Sequence, residues 1–168
     1  MAASEQGQAR QEEEKPILIL GVGNLLLSDE GFGVHMAQRL ERESWPADVE
    51  VMEGGTDGFR LMNVIRGRRR LIVIDAIKGG EQPGTLYRFD YEDAPASRIG
   101  RLTSAHQVGI LEILQMMTLI GDVPQATFLG IEPATLTMGM ELSPVVEAKI
   151  PRVIELLREE LARAPQSR

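Results

Sequence analysis

The 168-residue chain reads as an α/β layer fold. Three observations predict it. Short apolar runs alternate with helix-period segments, the pattern of successive βα units. The runs at residues 17–20 and 71–74 carry no polar side chain, as strands buried on both faces do. Carboxylates and one histidine then stand just past strands or at the mouths of helices. That is the carboxyl edge, where open α/β sheets bind ligands.

Each element follows from local chemistry. Pro16 opens the first strand, residues 17–20, which ends in Gly21-Val22-Gly23. A helix over about residues 31–43 is predicted by Val34, Ala37 and Leu40 on one face. Residues 48–53 alternate as a half-buried strand. Gly54-Gly55 breaks it, and Thr56 or Asp57 caps a helix through Ile65. A third strand, residues 71–74, ends at Asp75. The following connection, residues 76–83, is too short for a crossover helix, so the strand at 85–89 is expected to be antiparallel. Residues 90–102 must then bring the chain back across the sheet, which about 3.3 Å per residue allows.

Thr103 or Ser104 caps a long helix to about Ile120, with Ile110, Leu114 and Met117 facing the sheet; Gly121 stops it. Residues 126–131 form the fifth strand. A loop of Pro, Thr, Gly and Met fills residues 132–142. Ser143 caps the last helix with Pro144 in its first turn. Val146, Ile150, Val153, Leu156 and Leu157 make its inner stripe, and Pro151 kinks or splits it.

Composition bounds the function. The formal charge of −7 argues against nucleic-acid binding, which needs a basic face. Arg68-Arg69-Arg70 is the one local basic run and reads as a solvated strand start rather than a phosphate site. No cysteine is present, so no disulfide forms within the chain. No apolar run reaches the roughly 18 residues that span a bilayer. Residues 1–15 read as a disordered acidic tail without a signal sequence, and 16–168 as one domain. A cytoplasmic monomer, with no membrane or nucleic-acid partner, is the expectation.

The residues with chemistry are few. The segment from Gly21 to Leu26 invites a dinucleotide reading, but Leu26 stands where a third glycine belongs and no Walker lysine follows. The glycines read better as a tight turn. Asp29 and Glu30 precede the first helix; either serves its positive end, yet a cap does not need two acids. Asp75 ends an apolar strand, where an unpartnered carboxylate is costly. It reads as a loop cap or as a site residue. His106 lies in the first turn of the third helix, whose positive end favours the neutral ring a metal requires. It reads as structural or as a ligand. His35 reads as surface. Together Glu30, Asp75 and His106 make an oxygen, oxygen, nitrogen set with open positions, suited to a borderline divalent ion such as nickel or zinc. No Gly-x-Ser-x-Gly elbow, His-Glu-x-x-His pair or cysteine nucleophile is present. Metal-assisted attack by water is the simplest remaining peptidase route.

Four blocks then occur in order: the segment from Gly21 to Val34 with Asp29-Glu30-Gly31-Phe32-Gly33, Glu53-Gly54-Gly55-Thr56, Val73-Ile74-Asp75-Ala76, and Ser104-Ala105-His106-Gln107. In this order they resemble the NiFe-hydrogenase maturation endopeptidases, from about Ile17 to the last helix. The resemblance implies a three-layer α/β/α fold with a mixed five-stranded sheet, one strand antiparallel. It implies Glu30, Asp75 and His106 as metal ligands and site residues, with Glu30 standing where some members have Asp. It implies one cut in the precursor of a hydrogenase large subunit, releasing a short C-terminal extension. The nickel is that of the precursor, and zinc or cadmium are expected to occupy the site in vitro. Gly54, Gly55 and Thr56, with the loop 132–142, are expected to shape the substrate groove. Three other readings compete: a nucleotide or small-ligand binding α/β protein, a chaperone that holds precursor without cutting it, and a spore-type or aminopeptidase-like hydrolase.

Overall fold

The computed structural model describes residues 15–55, 58–93 and 105–163; the side chains at 58, 59 and 105–108 also lie outside the description. Among the described residues, β1 (Ile17–Val22), β2 (Val49–Gly55), β3 (Arg70–Ala76), β4 (Leu86–Asp90) and β5 (Gln125–Ile131) form one sheet in the order β2-β1-β3-β5-β4. The first three and β5 run parallel, and β4 lies antiparallel on the edge beside β5. The short connection from β3 to β4 therefore does what its length requires.

Strand alternation sorts the core into two layers. Leu18, Leu20, Val22, Leu71, Val73 and Phe128 face α2 (Gly58–Ile65) and α3 (Ala105–Leu119). Ile19, Ile72, Ile74, Leu129 and Ile131 face α1 (Phe32–Leu40) and the C-terminal helices α4 (Pro144–Glu147) and α5 (Ile150–Ala162). The result is a three-layer α/β/α sandwich. Pro151 splits the last helical stretch in two: it sits in the first turn of α5, where its missing N–H costs nothing. Gly54 and Gly55 do not break β2 but lie within it.

Two glycines set how closely α1 approaches the sheet. A Cβ at Gly33 would stand 2.1 Å from the Ile74 carbonyl oxygen and 2.2 Å from that of Val22. A Cβ at Gly21 would stand 2.0 Å from the Gly33 carbonyl oxygen. Of the glycines that invite a dinucleotide reading, Gly21 thus serves contact between helix and strand. Gly33→Ala is expected to cost on the order of 3 kcal/mol, because the clash is with backbone that cannot yield. Chemical denaturation checks this, and a change below about 1 kcal/mol, within the ordinary scatter of point variants, would contradict it.

The arginine run is not a solvated strand start. Arg68 and Arg70 are both 6% exposed. Arg68 pairs with Glu50 at 2.6 Å and also donates to the Lys15 carbonyl, so Lys15 belongs to the folded body rather than to a free tail. Arg70 pairs with Glu160 at 2.8 Å, and Arg88 meets the other oxygen of that carboxylate at 3.0 Å. Buried charges persist only when paired in this way. Burial pushes the Glu160 carboxyl up, but the Arg88 hydrogen bond and the charges of Arg88 and Arg70 outweigh it and hold it below its ordinary value of 4.5. A depressed carboxyl contributes stability that is full above its unfolded pKa and is lost as pH falls through the folded one. Acid denaturation below about pH 4.5 should therefore show a wild-type advantage over Glu160→Gln that shrinks as pH drops. A difference independent of pH would contradict the assignment.

Candidate active site

The carboxyl edge of the sheet is where α1 and α3 begin. After β1 the chain turns through Gly23, whose φ is +148°, and a Cβ there would lie 2.1 Å from the Glu30 carbonyl oxygen. The turn closes on itself: Asn24 N–H donates to that oxygen at 3.1 Å, and Glu30 N–H donates to the Leu27 carbonyl at 3.1 Å. A 3-10 turn, Ser28–Gly31, packs on β3 and leads into α1. The backbone of Glu30 is fixed on both sides, and its side chain is half-buried.

Asp29 and Glu30 divide the labour. Asp29 is fully buried and caps no helix. Its carboxylate accepts from Ala134 N–H at 2.9 Å, Thr135 N–H at 3.1 Å, Ser143 N–H at 2.7 Å and the Ser143 hydroxyl at 2.7 Å. Ser143 occupies the N-cap position of α4, but its hydroxyl serves Asp29 rather than the helix. The loop 132–142 is thereby wrapped around one aspartate. Ser28 adds a hydroxyl bond to the Thr137 carbonyl at 2.9 Å, and Leu27 forms a parallel bridge with Gly139. His35 is half-buried rather than surface, with Nε2 3.1 Å from the Met140 carbonyl oxygen. Sequence alone shows one acid more than a cap needs but not the donors that Asp29 serves, because they lie more than a hundred residues away.

Asp75 is 1% exposed and stands near the end of the central strand β3. Its Oδ1 accepts the Ala76 N–H at 2.8 Å. The preceding residue, Ile74, is the one Gly33 touches, so the start of α1 and the end of β3 are neighbours. His106 is the second residue of α3. That helix leads into β5, whose first residue Gln125 pairs with Arg70 at the amino edge, so α3 begins at the carboxyl edge. The backbone of His106 thus shares an edge with Glu30 and Asp75, while its side chain lies outside the described residues. Among the described residues no group of three His, Asp or Glu side chains is gathered around a metal position.

The rest of the edge is braced. Glu132, one residue past β5, accepts from the Tyr87 hydroxyl at 2.5 Å and the Gly79 N–H at 2.7 Å. Burial and that carboxylate push the Tyr87 phenol up to about 12. Gly54 faces the core, where a Cβ would stand 2.5 Å from Val22 Cγ1, and Gly55 has φ of +60° at the strand end. Thr56 and Asp57 lie outside the described residues, as do Thr103 and Ser104. A cleft of about 670 Å³ between Arg42, Trp45 and Arg158 opens at the far end of α1 and takes in none of these residues.

The chain is similar to proteins of known activity. A family model described as hydrogenase maturation protease matches residues 34–160. The hydrogenase 2 maturation protease of Escherichia coli (strain K12) is 38% identical over 142 residues, which cover 83% of this chain and 86% of that protein. The chain belongs to the hydrogenase maturation proteases. Its fold agrees: the hydrogenase maturating endopeptidase HybD of E. coli superposes with a TM-score of 0.76 at 36% identity, over 86% of this chain and 93% of that one. The NiFe hydrogenase maturation protease HybD of Thermococcus kodakarensis gives 0.68 at 33%, over 88% and 99%. The protease is therefore a peptide-bond hydrolase, and the nucleotide-binding reading falls away. No helix among the described residues is long and apolar enough to cross a membrane.

Proposed function

We propose that this protease removes the C-terminal extension of a nickel-loaded hydrogenase large-subunit precursor, with Glu30, Asp75 and His106 completing the coordination of the precursor's nickel. The observation that carries this reading is the division between the paired acids. Asp29 is consumed by the loop, whereas Glu30 stands half-buried on a rigid turn beside the end of β3, at the edge that also carries Asp75. Two carboxylates and one imidazole form a hard-to-borderline set that suits nickel without a thiolate. An incomplete set of this kind binds weakly on its own and strongly only when the substrate brings the ion with its own ligands.

In this reading the nickel is part of the substrate, and its capture places the scissile bond over the carboxyl edge. Positioning of this kind supplies much of a hydrolytic rate enhancement. On the β2 side the strand end at Gly55 borders the groove. Gly55, with positive φ and no neighbour within 4 Å of a Cβ, leaves backbone open to an extended peptide.

The intact mass of a cognate precursor after incubation with the protease tests the proposal. Loss of one discrete C-terminal peptide from nickel-loaded precursor, and none from nickel-free precursor, is expected. Equal cleavage of both would remove nickel from the account. A stable complex without mass loss would favour the holding chaperone.

A further inference from the structure

The turn that carries Glu30 is strained at one residue. Ser28 has a φ of +50° and is the one non-glycine residue with positive φ among the described residues. An L side chain in this left-handed region crowds its own backbone, and it stays there only where its surroundings hold it. Glycine would adopt the same conformation without that cost. A serine stands here instead, and it is almost wholly buried.

Loop 132–142 holds it. The Ser28 N–H donates to the Gly139 carbonyl at 2.7 Å, and its hydroxyl donates to the Thr137 carbonyl at 2.9 Å. On either side of it, the Asp29 N–H donates to the Thr135 carbonyl at 3.2 Å and Leu27 bridges to Gly139. A Cβ at Gly139 would lie 2.9 Å from Ser28 Oγ and, chain neighbours aside, within 4 Å of nothing else. The loop is therefore seated on the serine hydroxyl itself. Past Ser28 the turn closes, with the Glu30 N–H on the Leu27 carbonyl. Further on, Gly33 pins the start of α1 against the backbone of Ile74 and Val22. Glu30 thus lies between two fixed points, Ser28 and Gly33. If Ser28 left its left-handed conformation, α1 could not follow, and the displacement would fall on residues 29–31.

We infer that Ser28 is a positioning residue for Glu30. Its left-handed backbone, held by loop 132–142, sets where Glu30 stands at the carboxyl edge. This rests on the role proposed above for Glu30. Ser28 touches neither substrate nor ion in this account and acts through Glu30 alone.

Single-turnover cleavage of nickel-loaded precursor by Ser28→Ala and Ser28→Gly, alone and combined with Glu30→Gln, tests the inference. Alanine keeps the strain and lacks the hydroxyl that offsets it, so a rate at least tenfold below wild type is expected. Glycine also lacks the hydroxyl but holds the left-handed backbone without strain, so its rate should stay within threefold of wild type. A packing role would give the opposite order, because glycine removes more of the side chain. In the Glu30→Gln background, Ser28→Ala should slow the residual reaction less than twofold, since residues that act as one unit are not additive. Should Ser28→Ala melt below the assay temperature, Gly139→Ala reaches the same joint from the loop. Gly139 has no positive φ, so the added Cβ meets only the serine oxygen. Gly139→Ala should slow cleavage, and Gly139→Ala/Ser28→Gly should recover it. A wild-type rate for Ser28→Ala, a glycine variant slower than the alanine one, full additivity with Glu30→Gln, or no recovery in the Gly139 pair would overturn the inference and leave the proposed activity intact. A wild-type rate for Glu30→Gln would overturn the role of Glu30 and the inference with it.

Discussion

Glu30→Gln and His106→Ala should each slow release of the precursor's C-terminal peptide by about 10²–10⁴-fold, the span seen when a positioned acid, base or ligand is removed. The Gln variant is the sharper of the two. It keeps the shape of the side chain and one acceptor oxygen while removing the charge that a cation requires. The backbone that holds position 30 is tied through Gly23, Asn24 and Leu27, none of which depends on the carboxylate. The melting temperature of Glu30→Gln should accordingly stay within about 2 °C of wild type, as a change of about half a kcal/mol implies for a chain of this size. Single-turnover cleavage with matched melting curves checks the pair. Activity within fivefold of wild type would remove Glu30 from the site.

Asp29→Ala should behave in the opposite way, as a stability variant first. Removing the carboxylate orphans three backbone N–H groups and one hydroxyl that converge on it. Unmet buried donors cost about 1–3 kcal/mol each, and partial relaxation of the loop into water offsets some of that. A net loss of about 4 kcal/mol is expected, read as a fall of roughly 8–16 °C in melting temperature. Asp29→Asn should lie between, since its amide NH₂ must face N–H donors. Ser143→Ala, which removes one of the four bonds, should cost about 1 kcal/mol. A loss below about 1 kcal/mol for Asp29→Ala would mean that the loop is held elsewhere.

The sheet was legible because its signals are local. Uninterrupted apolar runs located β1 and β3, and the shortness of the connection after Asp75 required an antiparallel β4, which lies on the edge beside β5. Boundaries were less so. Gly31, read as the start of the first helix, closes a separate 3-10 turn, and the helix proper, Phe32–Leu40, ends before the expected residue 43. The arginine run misled because burial of Arg68 and Arg70 depends on Glu50 and Glu160, partners supplied by other elements. The site was half legible. Position relative to strand ends singled out Glu30, Asp75 and His106, and the structure brings their backbones to one edge. What each acid does was not legible, because Asp29 differs from Glu30 only through contacts with residues 134–143. His35 reads as surface in sequence for the same reason, its partner being the carbonyl of Met140.

X-ray absorption at the nickel edge tests most directly the claim that these residues read the metal. Nickel-loaded precursor would be measured alone and in complex with the protease, frozen before turnover. The account predicts added oxygen and nitrogen scatterers in the complex, with the outer-shell signature of one imidazole that disappears with His106→Ala. An unchanged nickel shell in a complex that goes on to cleave would contradict it, and would place recognition of the loaded precursor away from Glu30, Asp75 and His106.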